Sequence, residues 1–111
     1  MFSWEATNEP RCGVDGVRNL PRVLNCTPSL VTEWAKETSV YIKGLDPWRL
    51  VGVGDEGSFN EPGRGDWAYD GTHDVDTKAF VKLDTIDFRT YHIYPVRRPF
   101  SFQPCRRFGL N

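Results

Sequence analysis

Hydrophobic and polar positions divide the chain into a few clear segments. Residues 2–7 alternate Phe2, Trp4 and Ala6 with Ser3, Glu5 and Thr7, which predicts a short strand. Residues 13–25 are broken by Gly13, Gly16, Asn19 and Pro21 and read as a loop. A helix then starts cleanly, with Thr27 as N-cap and Pro28 at the first helical position, where its missing N–H costs nothing. Leu30, Val31, Trp34, Tyr41, Ile42 and Leu45 recur at helical spacing and predict one apolar face, with Trp34 in the core. Glu33, Lys36 and Glu37 fall on the water side, and Asp46-Pro47 stops the helix.

Residues 50–54 form a short, nearly all-apolar run that suits a strand covered on both faces. A long loop rich in Gly, acids and aromatics spans 55–72, and 76–83 predicts a short helix. Residues 85–95 carry the strongest strand pattern of the chain, and Pro95 closes it. Strand, helix, strand, loop with helix, strand is the order of an α/β fold with parallel strands. Residues 2–7, 50–54 and 86–94 are expected as neighbours in that sequence, with 27–45 as the crossover helix. Three parallel strands leave two apolar edges, so the chain reads as cut from a larger α/β protein. A (β/α)8 barrel runs to about 250 residues. Residues 96–111 show neither strand nor helix period and are expected to form a mobile, protease-sensitive tail.

Composition narrows the function. Of 111 residues 39% are hydrophobic and 14% aromatic, which is material for a core rather than a disordered chain. Net charge is −1, which argues against general nucleic-acid binding. The balance is uneven, because Arg97, Arg98, Arg106 and Arg107 stand in a stretch without acids. No apolar run is long enough to span a bilayer, and residues 1–5 lack the pattern of a signal peptide. Cys12 and Cys26 flank a turn-rich segment. They are either a disulfide, which implies an oxidising compartment, or two buried thiols; redox logic favours the disulfide. Neither lies in a zinc-type spacing, so no metal is expected. Cys105 is left over.

Asn-Glu-Pro occurs twice, at 8–10 and at 60–62. The first copy belongs to "WEATNEPRC" (4–12), which resembles the strand-four motif of glycoside hydrolase family 5 mannanases, usually Trp-Glu-Leu-Ala-Asn-Glu-Pro-Arg-Cys. "RNLPRVLNCTP" (18–28), "YIKGLDPWRLVGVGDEGSFN" (41–60), "DWAYDG" (66–71) and "IDFRTYHIYP" (86–95) resemble later segments of fungal secreted endo-β-1,4-mannanases, in order. The resemblance covers 2–95. It departs at Ala6-Thr7, at Arg89 where Gly is common, and throughout 96–111.

The resemblance implies an incomplete (β/α)8 TIM barrel, about strands four to six, over residues 1–95. It makes Glu9 the general acid/base of a retaining glycosidase, at the carboxyl end of a barrel strand. Asn8 would hydrogen-bond the sugar 2-hydroxyl, and Pro10 would end the strand. His92 would contact substrate or the acid/base, and Tyr94 the nucleophile. Glu56, after the middle strand, either lines the cleft or, like Asp55, is a solvated charge; Trp67 and Tyr69 are candidate stacking platforms, and Trp48 a weaker one. Glu61, in the second Asn-Glu-Pro, is read as a coincidence, and His73 as an ordinary loop histidine. The sequon Asn25-Cys26-Thr27 is expected to be unused. The family's nucleophile follows on strand seven, but no Asp or Glu occurs after Pro95. The family's strand-two Arg and strand-eight Trp have no match either.

The expectation is therefore a fragment of a secreted endo-β-1,4-mannanase, inactive alone. The complete protein would need no cofactor, act on mannan or glucomannan, and be a monomer. Two alternatives are a different family 5 β-glycanase such as a cellulase, and a non-catalytic sugar-binding remnant.

Overall fold

A computed structural model describes residues 2–12, 24–66 and 68–93. The order is β1 (Ser3–Glu5), α1 (Pro28–Leu45), β2 (Leu50–Gly52) and α2 (Thr77–Phe80). β1 and β2 pair in parallel, with Ser3 opposite Leu50 and Glu5 opposite Gly52. A parallel pair cannot be joined by a tight turn, and α1 supplies the crossover.

The pairing runs on past the strands. Ala6 N–H donates to Gly52 O at 3.0 Å, Thr7 to Val53 O at 3.2 Å and Glu9 to Gly54 O at 2.9 Å. On the other side of β2, Asp87 N–H donates to Val51 O at 2.9 Å and His92 N–H to Glu56 O at 3.1 Å. The three segments therefore lie side by side in the expected order. The third is less regular than its sequence predicts, because 86–93 contributes one parallel bridge, Gly52 to Phe88. Local chemistry explains the loss of ladder. The Val51 N–H is taken at 2.7 Å by the Asp87 side chain rather than by a main-chain carbonyl. Phe88 also lies over Gly52, where a Cβ would sit 2.5 Å from the ring.

Helix α1 begins as the sequence predicts. Thr27 Oγ1 accepts from Leu30 N at 3.2 Å, and Pro28 opens the first turn. Its packing face differs from expectation. The buried residues are Val31, Ala35 and Ser39, a line at four-residue spacing. Leu30, Tyr41 and Leu45 are exposed, and Trp34 is 38% exposed rather than core. Two of these side chains are small, and Ser39 Oγ meets Thr85 Oγ1 at 2.6 Å. The apolar stripe on α1 is wider than the surface that the described residues offer it.

The core gathers Cys12, Val31, Ala35, Val53, Val75 and Phe80, with Cys26, Leu83 and Ile86 packed against it. Cys12 and Cys26 form a disulfide with Cα atoms 5.3 Å apart. It ties the segment after β1 to the start of α1. The 55–72 loop is partly ordered by an antiparallel bridge between Asn60 and Asp70. Helix α2 is capped by Asp76, whose side chain accepts from Lys78 N at 3.0 Å. Among the described residues no helix is long and apolar enough to cross a membrane. The 96–111 tail lies outside the described residues.

Candidate active site

The carboxyl ends of β1 and β2 lie together, and the chain leaves each through a residue of unusual backbone. Glu9 has φ of 51°, the left-handed region that a non-glycine residue rarely enters. Its N–H is anchored on Gly54 O, and Gly54 itself has φ of 83°. A Cβ on Gly54 would run into the Thr7 carbonyl oxygen. The glycine is what allows the two strand ends to approach. Strain of this kind costs on the order of 1–3 kcal/mol and persists where the surroundings over-determine it, most often at functional sites.

The Glu9 side chain is 25% exposed and its Oε1 lies 2.7 Å from His92 Nδ1. Arg11 Nη2 lies 3.7 Å from its other oxygen. The same Arg11 nitrogen donates to Glu56 Oε2. Glu56 Oε2 is also 3.2 Å from His73 Nδ1, and that nitrogen is 2.8 Å from Ser58 Oγ. Glu56 is 10% exposed at its side chain. Burial pushes its carboxyl upward, but hydrogen bonds from His73 and Arg11, with the positive charge of both, outweigh burial and hold it below its ordinary range. The site thus holds two differently placed carboxylates. Glu9 is open to solvent on one side and can exchange a proton with a ligand, whereas Glu56 is clamped between two donors.

The structure joins three of the expected site residues, Glu9, His92 and Glu56, and leaves Asn8 exposed beside them. Tyr94 and Trp67 lie outside the described residues. Trp48 is 90% exposed in the turn before β2, at the opposite end of the strand from Glu56. Tyr69 is a poor platform, because its ring stacks on Phe59 at 4.9 Å and carries the Arg64 guanidinium. Glu61 pairs with Lys78 and, at 2.8 Å, with Arg64, as a surface charge does. Asp55 is fully buried and bonded to Thr77 Oγ1 and Gly57 N.

Two participants were not expected. Arg11 was legible, since it stands two residues after Glu9 in the same motif. His73, read as an ordinary loop histidine, has its imidazole against Glu56 and Ser58, and the sequence around it carries no spacing that signals this. Among the described residues no group of His, Cys and carboxylates is arranged to hold a metal ion.

No family model matches the chain. Curated proteins do match. The chain is 50% identical over 96 residues to the probable mannan endo-1,4-β-mannosidase C of Aspergillus terreus, covering 86% of this chain and 23% of that protein. It is 38% identical over 96 residues to the probable mannan endo-1,4-β-mannosidase F of Emericella nidulans, covering 20% of it. Among solved structures, the endo-1,4-β-mannanase of Rhizomucor miehei superposes with a TM-score of 0.76 at 46% identity, over 84% of this chain and 26% of that one. The endo-1,4-β-D-mannanase of Thermotoga petrophila gives 0.66 at 40% identity, over 85% of this chain and 26% of that one. In sequence and in backbone the chain thus belongs, as a partial chain, to the endo-β-1,4-mannanases of glycoside hydrolase family 5 that its motifs resemble.

Proposed function

We propose that this chain carries one half of the catalytic apparatus of a retaining endo-β-1,4-mannanase, with Glu9 as general acid/base. The observation that carries the reading is the Glu9–His92 pair at 2.7 Å, which closes over the chain leaving β2 and is partly open to solvent. In the first half-reaction Glu9 protonates the leaving glycosidic oxygen, and in the second it takes a proton from water. His92 orients the carboxyl and exchanges a hydrogen bond with it as its charge changes. Asn8 binds the sugar 2-hydroxyl, and Tyr94 and Trp67 serve the nucleophile and a sugar ring.

β1, α1 and β2 are then an arc of a (β/α)8 barrel over residues 1–95, with 96–111 a basic tail outside it. The whole protein would be a secreted monomer acting on mannan or glucomannan. Relatives named as mannosidases support the substrate, and the disulfide supports an oxidising compartment.

Retention needs a second carboxylate roughly 5–5.5 Å from the first. Glu56 is engaged by Arg11 and His73, and no Asp or Glu follows Pro95. The 111-residue chain alone therefore binds sugar at best and does not turn it over. Purified chain incubated with mannan should release no reducing ends. Titrated with mannohexaose and cellohexaose, it should show amide shifts near Glu9 and His92 for the manno-oligosaccharide first. Turnover abolished by Glu9→Gln would mean that another carboxylate serves as nucleophile. A preference for cellohexaose would favour a cellulase.

A further inference from the structure

The mechanism just described leaves His73 and Ser58 without a task, yet both sit within hydrogen-bond reach of one nitrogen beside the site. Glu56 can only accept hydrogen bonds when ionised. The 3.2 Å approach of His73 Nδ1 to Glu56 Oε2 is therefore attractive only if Nδ1 carries a proton. Ser58 Oγ, 2.8 Å from that nitrogen and itself buried, then acts as a second acceptor and keeps the ring from turning. His73 Nδ1–H and Arg11 Nη2 converge on the same oxygen of Glu56.

We infer that His73 is a positioning residue, which presents its Nδ1–H to Glu56 so that Glu56 stays ionised and holds Arg11 alongside Glu9. Geometry shows the consequence for Arg11. Its guanidinium makes a direct hydrogen bond to Glu56 but stands 3.7 Å from Glu9. An uncompensated guanidinium beside a general acid would favour the ionised form, which opposes proton donation. Glu56 supplies the compensating charge, and His73 keeps it in place. This last step rests on the reading of Glu9 as acid/base, while the His73–Glu56 contact does not.

Among the described residues, the following groups face the contact. Glu56 faces Arg11 and His73, and its main-chain carbonyl accepts from His92 N. His73 faces Glu56 and Ser58 and acts electrostatically on Asp70, with Asp74 next in sequence. The depressed titration of Glu56 fits two donors on one oxygen.

The test uses the 111-residue chain labelled with 13C and 15N. It has two histidines, so both imidazoles can be assigned without ambiguity. Imidazole 15N shifts report the tautomer, and the Glu56 side-chain carboxyl 13C shift is followed against pH. The expected result is a protonated Nδ1 on His73 at neutral pH. His73→Ala should move the Glu56 midpoint to higher pH, and His73→Asn, which keeps an N–H near the position of Nδ1, should restore it. Should His73→Ala fail to fold, Ser58→Ala keeps the imidazole and should still raise the midpoint, by less. A deprotonated Nδ1 on His73, or a Glu56 midpoint that none of the variants moves, would overturn the proposal. None of these readouts depends on mannan hydrolysis, so failure here leaves the role of Glu9 standing, and failure of that role leaves this contact standing.

Discussion

Replacing Gly54 with alanine should loosen the site and the sheet together. Gly54 has φ of 83°, so an L side chain there costs about 1–2 kcal/mol from backbone sterics alone. The new Cβ would also collide with the Thr7 carbonyl oxygen and lie 2.8 Å from Cγ and Cδ of Glu5. The Glu5 side chain can swing away, but a main-chain carbonyl held in a parallel ladder cannot. The strand ends must separate, which weakens the Glu9 N to Gly54 O and Thr7 N to Val53 O bonds. Each such bond contributes about 1 kcal/mol net. The total is about 3–4 kcal/mol, a large part of the roughly 5–15 kcal/mol that holds a typical domain. With a urea dependence of about 1–2 kcal/mol/M for a small domain, the midpoint should fall by about 2 M. Tryptophan fluorescence follows the transition. Gly63→Ala is the control. Gly63 has φ of 95° but nothing within 4 Å of its added Cβ, so it should cost about 1–2 kcal/mol from the backbone alone. If Gly54→Ala is no worse than Gly63→Ala, the close approach of the strand ends is not what Gly54 provides.

Other consequences can be checked in the same protein. Thiol labelling without reductant should find one reactive cysteine of three, and reducing the Cys12–Cys26 bond should cost about 3 kcal/mol for a loop of this size; three labelled thiols would remove the bond. Phe80→Ala, at a fully buried ring in the core, should cost about 3–5 kcal/mol by urea unfolding, and a loss below 1 kcal/mol would contradict its place there. Glu56 and Asp87 are both held below their ordinary values of 4.5 and 3.8 in the folded chain. For Asp87 the cause is the Lys43 hydrogen bond, opposed by burial and aided by the Val51 N–H and the Lys43 charge. Depressed carboxylates stabilise the fold above their unfolded values, and that contribution is lost as pH falls through the lower folded values. The urea midpoint should therefore hold steady above pH 5 by this account and drop below about 4.5, and Glu56→Gln should flatten part of that drop. A midpoint that rises on acidification would reverse the sign.

The legible parts of the fold were those set by short-range chemistry. Thr27-Pro28 announced the start of α1, a short helix was expected within 76–83, where α2 lies, and a parallel β–α–β order followed from the spacing of apolar runs. Periodicity misjudged which face of α1 is buried, because the small Ala35 and the polar Ser39 carry little hydrophobic signal yet are buried. Over 86–93 the chain is less regular than its strand pattern predicts, since β-branched and aromatic residues mark propensity and cannot show that Asp87 takes the Val51 N–H. At the candidate site, motif resemblance rather than pattern pointed to Glu9, His92 and Glu56, which the fold brings together. The contact of His73 with Glu56 was not legible, as it depends on a loop returning to a residue distant in sequence.

The most direct test of the role of Glu9 places it in a complete protein. Residues 2–93 replace the aligned segment of the Aspergillus terreus relative, which is 50% identical over 96 residues. The chimera is assayed on mannan with and without Glu9→Gln. The account predicts that the chimera hydrolyses mannan and that Glu9→Gln lowers kcat by about 10²–10⁴-fold, the range for loss of a general acid/base. An active chimera whose Gln variant keeps full activity would contradict it.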